Sequence, residues 1–216
     1  MENIKDKKCK MRLYYFPNFR SNRCIWLVHE LGATDDVQFQ LYNSRDTNQS
    51  NIDHYRNNVH HLGTVPALEI EGKEPLIESG AICMYLADLY QKLQPEKDRK
   101  ADFLNIIFYC CATVDEILEQ LFVQWMFVEP DKRDNVLIQN MISKFGSSAT
   151  HIEKLLRNRK YICGDKFTAA DCVLGYNIWW ASVMQNGELL KNHPSILSYF
   201  ERLKRRKAFQ LTFSNE

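Results

Sequence analysis

The sequence predicts an α/β domain followed by an all-helical domain. In the first part of the 216-residue chain, short apolar runs typical of strands alternate with segments of helical periodicity. A charged stretch at 92–101, which contains Pro95, separates this part from a region where only helical periodicity recurs. We therefore expect a loose polar tail at 1–10, an α/β domain at 11–91, a linker at 92–101 and a helical domain at 102–216.

The elements of the first domain are predicted from local patterns. Apolar, aromatic or alternating residues indicate strands at 11–16, at 37–42 and on both sides of the turn at 71–73. Helical periodicity indicates helices at 21–32, which ends at a glycine, and at 79–93, which begins at a serine. Residues 43–63 are polar with little apolar periodicity and are expected to be irregular.

The second domain is predicted to be a helical bundle. Helical periodicity recurs at 102–127, 131–157, 167–184 and 195–206. The segment at 167–184 is apolar on nearly every face, which predicts a helix buried in the centre of the bundle. Its first residues, FTAAD, form a capping-box pattern in which Thr168 and Asp171 satisfy each other's main-chain amides. We expect this box to be structural.

Composition narrows the class of function. Lys and Arg number 28 and Asp and Glu 27, so the net charge of +1 gives no electrostatic argument for nucleic-acid or membrane partners. The seven cysteines include no CxxC pair and no zinc-ligand spacing, so we expect free thiols, a reducing compartment and no metal. The N-terminus lacks the apolar core of a signal peptide, and no apolar run reaches the ~18 residues of a membrane span. The expected location is the cytoplasm.

The segment TVPALEIEGKEPLIESGAI carries the strongest functional signal. Pro66 stands at the entrance of an apolar strand, and an X-Pro bond there can be cis, which would leave the main chain of Val65 free to pair with an extended peptide. Glu78 can bind an ammonium group. Ser79 can cap the following helix, and together with the first amides of that helix it can bind a carboxylate. These features fit γ-glutamyl-cysteinyl-glycine, although an ordinary hairpin with a helix cap is the alternative.

Several segments resemble the cytosolic glutathione S-transferase family. VPAL, a hairpin and ESGAI resemble its glutathione-binding signature, and HHLGTVPAL resembles segments of bacterial and fungal members. LYYFPNFRSNRCIWLVHELG, GDKFTAADCVLGY and HPSILSYFERLKRRKAFQ are similar to the family's first strand and helix, buried helix and C-terminal segment. The resemblance, which spans about residues 11–210, implies a thioredoxin-like domain followed by a helical bundle, glutathione as co-substrate, no metal, a small-molecule electrophile and a homodimer.

The resemblance implies that a donor near the first strand lowers the pKa of the glutathione thiol. Tyr15 stands where tyrosine-type classes place their catalytic hydroxyl, whereas Ser21 and Asn18 lie in the turn used by serine-type and bacterial classes. Aligned on the strand, the serine position falls on Phe19 and the cysteine of the beta class on Arg20. Tyr15, Ser21, Asn18, Arg20 and a main-chain amide therefore stay open as the donor.

Two further positions are candidates for the site, the first from its place before VPAL and the second from the resemblance. His61, with His60 before it, would contact the glycine carboxylate of glutathione, although histidines in a polar loop are commonly plain surface residues. Tyr109 would line the electrophile pocket. The alternatives are a non-catalytic ligand-binding relative and a glutathione-dependent peroxidase or isomerase. Thiol–disulfide exchange is disfavoured because residues 17–23 contain no cysteine.

Overall fold

The structure is a computed structural model that describes residues 11–45 and 48–213. These residues divide into two compact units, one formed by 11–92 with 211–213 and the other by 93–210. The tail predicted at 1–10 lies outside the described residues.

The first unit combines a small mixed sheet with helices. Its strands are β1 (Met11–Tyr15), β2 (Val37–Leu41), β3 (Ala67–Ile70) and β4 (Leu76–Ile77), and its helices are α1 (Ser21–Leu31), α2 (Gln49–Asn58) and α3 (Ser79–Leu89). The four strands lie in the order β2-β1-β3-β4. β1 is parallel to β2 and antiparallel to β3, which is antiparallel to β4. The predicted α/β domain is confirmed, including the hairpin.

Helix α2 differs from the sequence-based expectation, which treats 43–63 as irregular. The side chain of Asn48 caps this helix by accepting a hydrogen bond from the N–H of Ser50 at 3.1 Å. Within α2 only Ile52 and Tyr55 are buried. A helix that buries so few side chains leaves almost no apolar periodicity in its sequence, which explains why the pattern did not reveal it.

The two faces of the sheet pack differently. Leu13 of β1 is fully buried on the face that α1 and α3 cover. On the opposite face the ring of Tyr55 in α2 stacks on Tyr42 at a centroid distance of 3.6 Å and meets Tyr14 edge-on at 5.0 Å. Strand alternation therefore directs Tyr14 towards α2 and its neighbour Tyr15 towards α1.

The second unit is helical, as predicted. Its elements are α4 (Lys100–Phe108), a π-helical turn (Tyr109–Val114), α5 (Asp115–Met126), α6 (Asn135–Leu156), α7 (Ala169–Val183), α8 (Pro194–Lys204) and the start of α9 (Lys207–Phe213). The predicted helix at 102–127 thus corresponds to α4, the π-helical turn and α5 in direct succession. Every residue from Ala169 to Ala181 is buried, which confirms the prediction of a central buried helix.

The capping box at the start of α7 is formed. One carboxylate oxygen of Asp171 accepts from the main-chain N–H of Thr168 at 2.8 Å. The other accepts from the N–H of Ile162 at 2.9 Å and from the hydroxyl of Tyr199 at 2.7 Å. Because Asp171 is fully buried, its carboxylate is the polar centre that joins three segments of this unit.

Candidate functional site

Strand pairing brings three chain segments to one end of the sheet. Ala67, the first residue of β3, pairs with Tyr14 of β1 and with Ile77 of β4. Both partners lie next to or at the C-terminal end of their strands. The segment that follows β1, the one that precedes β3 and the one that follows β4 therefore meet at the same end of the sheet.

The segment before β3 presents free main-chain groups. The Val65–Pro66 peptide bond is cis. Within the described residues, neither the N–H nor the C=O of Val65 makes a hydrogen bond. Both groups therefore remain available to an extended peptide-like ligand, which is the pairing that the sequence predicts for this residue.

Glu78 and Ser79 form the junction between β4 and α3. Glu78 is exposed and occupies the N-cap position with a φ of 73°, whereas Ser79 is the first residue of the helix and is 4% exposed. The sequence predicts Ser79 as the cap, but the structure places Glu78 there with no side-chain capping hydrogen bond. The Ser79 hydroxyl instead accepts a hydrogen bond at 3.0 Å from Nη1 of Arg23 in α1.

Arg23 is a residue that the sequence-based reasoning missed. Its side chain is fully buried, although it carries a charge that is costly to remove from water without polar partners. Its contact with Ser79 sets a positive charge beneath the N-terminal end of α3, where the helix dipole is also positive. The available signal was a single cation among the apolar residues of the helix at 21–31.

The hydroxyl of Ser21 is already engaged. It donates to the C=O of Phe16 at 2.9 Å and lies 3.3 Å from the N–H of the same residue, and Ser21 is fully buried. The hydroxyl thereby closes the turn between β1 and α1. In the same turn Asn18 is exposed with a φ of 65°, and Arg20 occupies the N-cap position of α1.

Tyr15 is the last residue of β1, and its hydroxyl, unlike that of Ser21, is not engaged in the turn between β1 and α1. Its half-buried ring meets Phe39 of β2 edge-on at 6.2 Å, and Phe39 in turn meets His29 of α1 at 5.6 Å. In the part of the chain that the structure describes, the Tyr15 hydroxyl makes no hydrogen bond. It can therefore donate to a ligand without first breaking an internal contact.

The loop before Val65 is held by two side chains. Nδ1 of His60 accepts from the N–H of Leu62 at 3.2 Å, so Nε2 carries the proton and donates to the Thr64 hydroxyl at 3.0 Å. Burial, the larger cause, and the neighbouring His61 lower the pKa of His60 below its ordinary value. The hydroxyl of Tyr55 donates to the C=O of Thr64 at 2.7 Å. His61 is exposed, and its contact with glutathione stays a prediction.

Tyr109 belongs to the second unit. It begins the π-helical turn, and its half-buried ring meets His151 of α6 edge-on at 5.4 Å. π-helical turns are rare and occur frequently at functional sites. The place of Tyr109 in an electrophile pocket stays a prediction.

Metal sites and membrane spans are both absent from the part of the chain that the structure describes. Across 11–45 and 48–213, no group of His, Cys, Asp or Glu side chains has an arrangement that could hold a metal ion. Over the same ranges, no helix combines the length and apolarity needed to cross a membrane. The described cysteines are all free thiols.

A mixed sheet with a cis-proline before its antiparallel strand, followed by a helical unit, defines the class of thioredoxin-like proteins with a helical C-terminal domain. Residues 9–88 match the family model of the glutathione S-transferase N-terminal domain, and residues 135–202 match that of the C-terminal domain. The chain belongs to the glutathione S-transferase family. No curated protein sequence matches it.

Solved structures share the fold over nearly the whole chain. A glutathione transferase family member from Pseudomonas fluorescens, with two glutathione bound, has a TM-score of 0.83 at 19% identity, covering 97% of this chain and 95% of that one. A theta-class enzyme from Xanthomonas axonopodis with glutathione bound has a TM-score of 0.78 at 22% identity, covering 96% and 99%. A glutathione S-transferase-like protein from Lodderomyces elongisporus has a TM-score of 0.83 at 20% identity, covering 96% of each chain. The predicted glutathione transferase fold is confirmed.

Proposed function

We propose that the protein is a glutathione transferase that joins the glutathione thiolate to a hydrophobic, small-molecule electrophile. The observation that carries this proposal is the free main chain of Val65 at the same end of the sheet as Ser79, whose hydroxyl is bonded to the buried Arg23. A neutral peptide-binding edge beside a cationic, amide-rich helix start matches a short acidic peptide.

Each part of glutathione has a proposed partner in the first unit. The main chain of Val65, held by Pro66, pairs with the cysteinyl residue. Glu78 binds the α-ammonium group, and Ser79 with the α3 amides binds the adjacent carboxylate, which the charge of Arg23 favours. His61 contacts the glycine carboxylate at the other end of the peptide.

The thiol must lose its proton to react. A free thiol has a pKa of roughly 8.5, and lowering it by two units requires about 2.7 kcal/mol. A hydrogen bond to a charged group contributes about 1.5–3 kcal/mol, so one donor accounts for most of this requirement. We assign the donor to Tyr15, because its hydroxyl has no internal partner among the described residues, whereas that of Ser21 is bound to Phe16. Asn18 and Arg20 line the same turn and add polar contacts to glutathione.

The electrophile pocket, the cellular location and the oligomeric state are also part of the proposed function. Tyr109 contributes to the pocket for the electrophile, and the protein acts in the cytoplasm as a homodimer in the detoxification of electrophiles. Sedimentation equilibrium of the full chain tests the dimer, and fractionation of the source cells tests the location. A monomer, or a protein found outside the cytoplasm, removes these two parts and leaves the chemistry intact.

Two measurements test the chemistry. Titration calorimetry with glutathione and with S-methylglutathione asks whether the first unit binds the tripeptide, and we expect binding at or below millimolar concentrations. A conjugation assay with an activated aryl halide asks whether the bound sulfur reacts. Binding without turnover across several electrophile types would favour the ligand-binding relative, and turnover of peroxides alone would favour the peroxidase. Absence of binding refutes the proposal.

A further inference from the structure

The near-neutral charge of the whole chain conceals a local excess of cations in the second unit. Two short segments, 157–160 and 202–207, hold eight of the 28 Lys and Arg residues and none of the 27 Asp and Glu residues. The rest of the chain therefore carries more carboxylates than cations. We call these two segments together the basic patch.

The two segments of the basic patch are joined by direct contacts. Nε of Arg202 in α8 donates to the C=O of Lys160 at 3.0 Å. Nη1 of Arg206 donates to the hydroxyl of Tyr161 at 3.2 Å, and its guanidinium lies 3.8 Å from the ring centre of Phe167. These contacts hold the loop after α6 against the end of α8, so the two segments of the basic patch lie side by side.

Internal carboxylates neutralise only part of the patch. Nη1 of Arg159 lies 3.4 Å from Oδ2 of Asp102, and the ammonium group of Lys204 pairs with the carboxylate of Glu201. Four exposed cations have no ion-pair partner within the described residues, namely Arg157, Lys160, Arg205 and Lys207. Four unpaired positive charges on one surface attract an anionic partner.

The negative ends of the helix dipoles neutralise only a fraction of the positive charge of the basic patch. Arg157 and Arg205 are the C-terminal cap residues of α6 and α8, where cations stabilise the helix dipole. Each helix C-terminus carries a partial charge of about −0.5, so the two ends together offset roughly one of the positive charges. The patch exceeds what capping requires.

We propose that the basic patch binds the surface of a membrane that contains anionic phospholipids. Neither segment contains an aromatic residue, and the adjoining Tyr161 and Phe167 are buried, so no ring is presented on which single-stranded bases would stack. Clusters of Lys and Arg bind anionic membrane surfaces. Because lipid headgroups move laterally in the membrane, they can pair with cations at any spacing. The protein would bind peripherally, through its second unit.

The test is sedimentation of the full chain with phosphatidylcholine vesicles, with and without phosphatidylserine. We expect binding only to the anionic vesicles, and loss of binding when salt is raised from about 0.1 M to about 1 M, which shortens the Debye length from about 10 Å to about 3 Å. Absence of binding to anionic vesicles at low salt overturns the proposal. So does stronger binding to a duplex nucleic acid than to the anionic vesicles, which would identify a different partner.

Matched variants locate the binding surface. A variant with Arg157→Gln, Lys160→Gln, Arg205→Gln and Lys207→Gln should bind anionic vesicles about 600-fold more weakly, since each of the four residues contributes roughly a factor of five. A control with the same loss of charge replaces other exposed lysines by Gln, at Lys92, Lys97, Lys132 and Lys144. The control should bind like the wild type, and equal weakening in both variants overturns the proposal.

Two further variants guard against a trivial loss of folding. Replacing Arg157 and Arg205 by Lys keeps the charge and should keep vesicle binding, whereas loss of binding in this variant contradicts an electrostatic role. The double variant Lys160→Gln and Lys207→Gln alters only two exposed side chains and should still weaken binding. Circular dichroism and glutathione affinity, which the patch does not serve, report on the fold of each variant.

Discussion

The guanidinium of Arg23 donates to the hydroxyl of Ser79 across 3.0 Å in the interior of the first unit, with both side chains buried. This contact joins the first turn of α1 to the first residue of α3. It therefore couples the position of a buried charge to the helix start at which we propose that the γ-glutamyl carboxylate binds. If Arg23 had only a structural role, its replacement would not weaken the binding of an anionic ligand in particular. An experiment can therefore distinguish a structural role of Arg23 from a role in ligand binding.

Replacing Arg23 by Met should weaken glutathione binding about tenfold, or about 1.4 kcal/mol, because the carboxylate loses a nearby positive charge. The fold should survive, since a buried charge is often replaced by an apolar side chain of similar volume without loss of stability. Titration calorimetry measures the affinity. Arg12→Met, which removes an exposed arginine at the other end of β1, is the control and should bind glutathione normally.

A double-mutant cycle with Ser79→Ala tests whether the pair acts together. If Arg23 acts through Ser79, the combined variant should lose less affinity than the sum of the single losses. Strictly additive losses would show that the two side chains affect glutathione independently.

The assignment of the thiol donor is tested by Tyr15→Phe and Ser21→Ala. Tyr15→Phe should raise the pKa of the bound thiol by about one to two units and slow conjugation near neutral pH about 10–100-fold, since one charge-assisted hydrogen bond is lost. Ser21→Ala should lower thermal stability, because the turn at Phe16 loses its side-chain contacts, with little change in the thiol pKa. Ultraviolet absorbance of the bound thiolate against pH gives the pKa, and the opposite pattern would transfer the role to Ser21.

His60 should make stability depend on pH. Burial lowers its pKa in the folded state below the ordinary value of 6.5, so unfolding takes up a proton at mildly acidic pH. The stabilisation is therefore complete above the unfolded-state value and is lost as the pH falls through the lowered folded-state pKa. The free energy of unfolding measured in urea between about pH 7 and about pH 5 should fall less steeply in His60→Gln than in the wild type. Because His61 is the smaller of the two causes that lower the pKa of His60, His61→Gln should flatten the slope less than His60→Gln does, and a larger effect of His61→Gln would refute the assignment.

Asp171 should be a determinant of stability in the second unit. Asp171→Ala leaves the buried donors of Ile162, Thr168 and Tyr199 without their acceptor. The substitution should lower the free energy of unfolding by about 3–5 kcal/mol. Tyr199→Phe removes a single donor and should cost about 1–2 kcal/mol. Urea denaturation followed by far-ultraviolet circular dichroism measures both. Equal losses would show that the carboxylate does not organise the network.

Local patterns were sufficient to predict much of the fold. Alternation and helical periodicity predicted the sheet, its flanking helices and the buried α7, because each of these elements buries a regular stripe of side chains. The capping box of Thr168 and Asp171 was predictable for the same reason, since its partners lie within one helical turn. Helix α2 was missed because it buries only Ile52 and Tyr55.

The candidate site was predictable in its main-chain part and not in its side-chain contacts. A proline before an apolar strand indicated Val65 directly from adjacent residues. The contact between Arg23 and Ser79 joins positions 56 residues apart, and no local pattern encodes such a pair. The partner of the Ser21 hydroxyl, five residues away across a turn, likewise depends on the turn geometry.

The hydrogen bond from Tyr55 to the C=O of Thr64 ties α2 to the residue that precedes Val65. By thermodynamic reciprocity, any molecule that holds Val65 in place also suppresses fraying of α2, and spontaneous opening of α2 lowers the affinity for that molecule. Slowed amide hydrogen exchange along α2 would then report that the peptide edge at Val65 is occupied, without any label on the ligand.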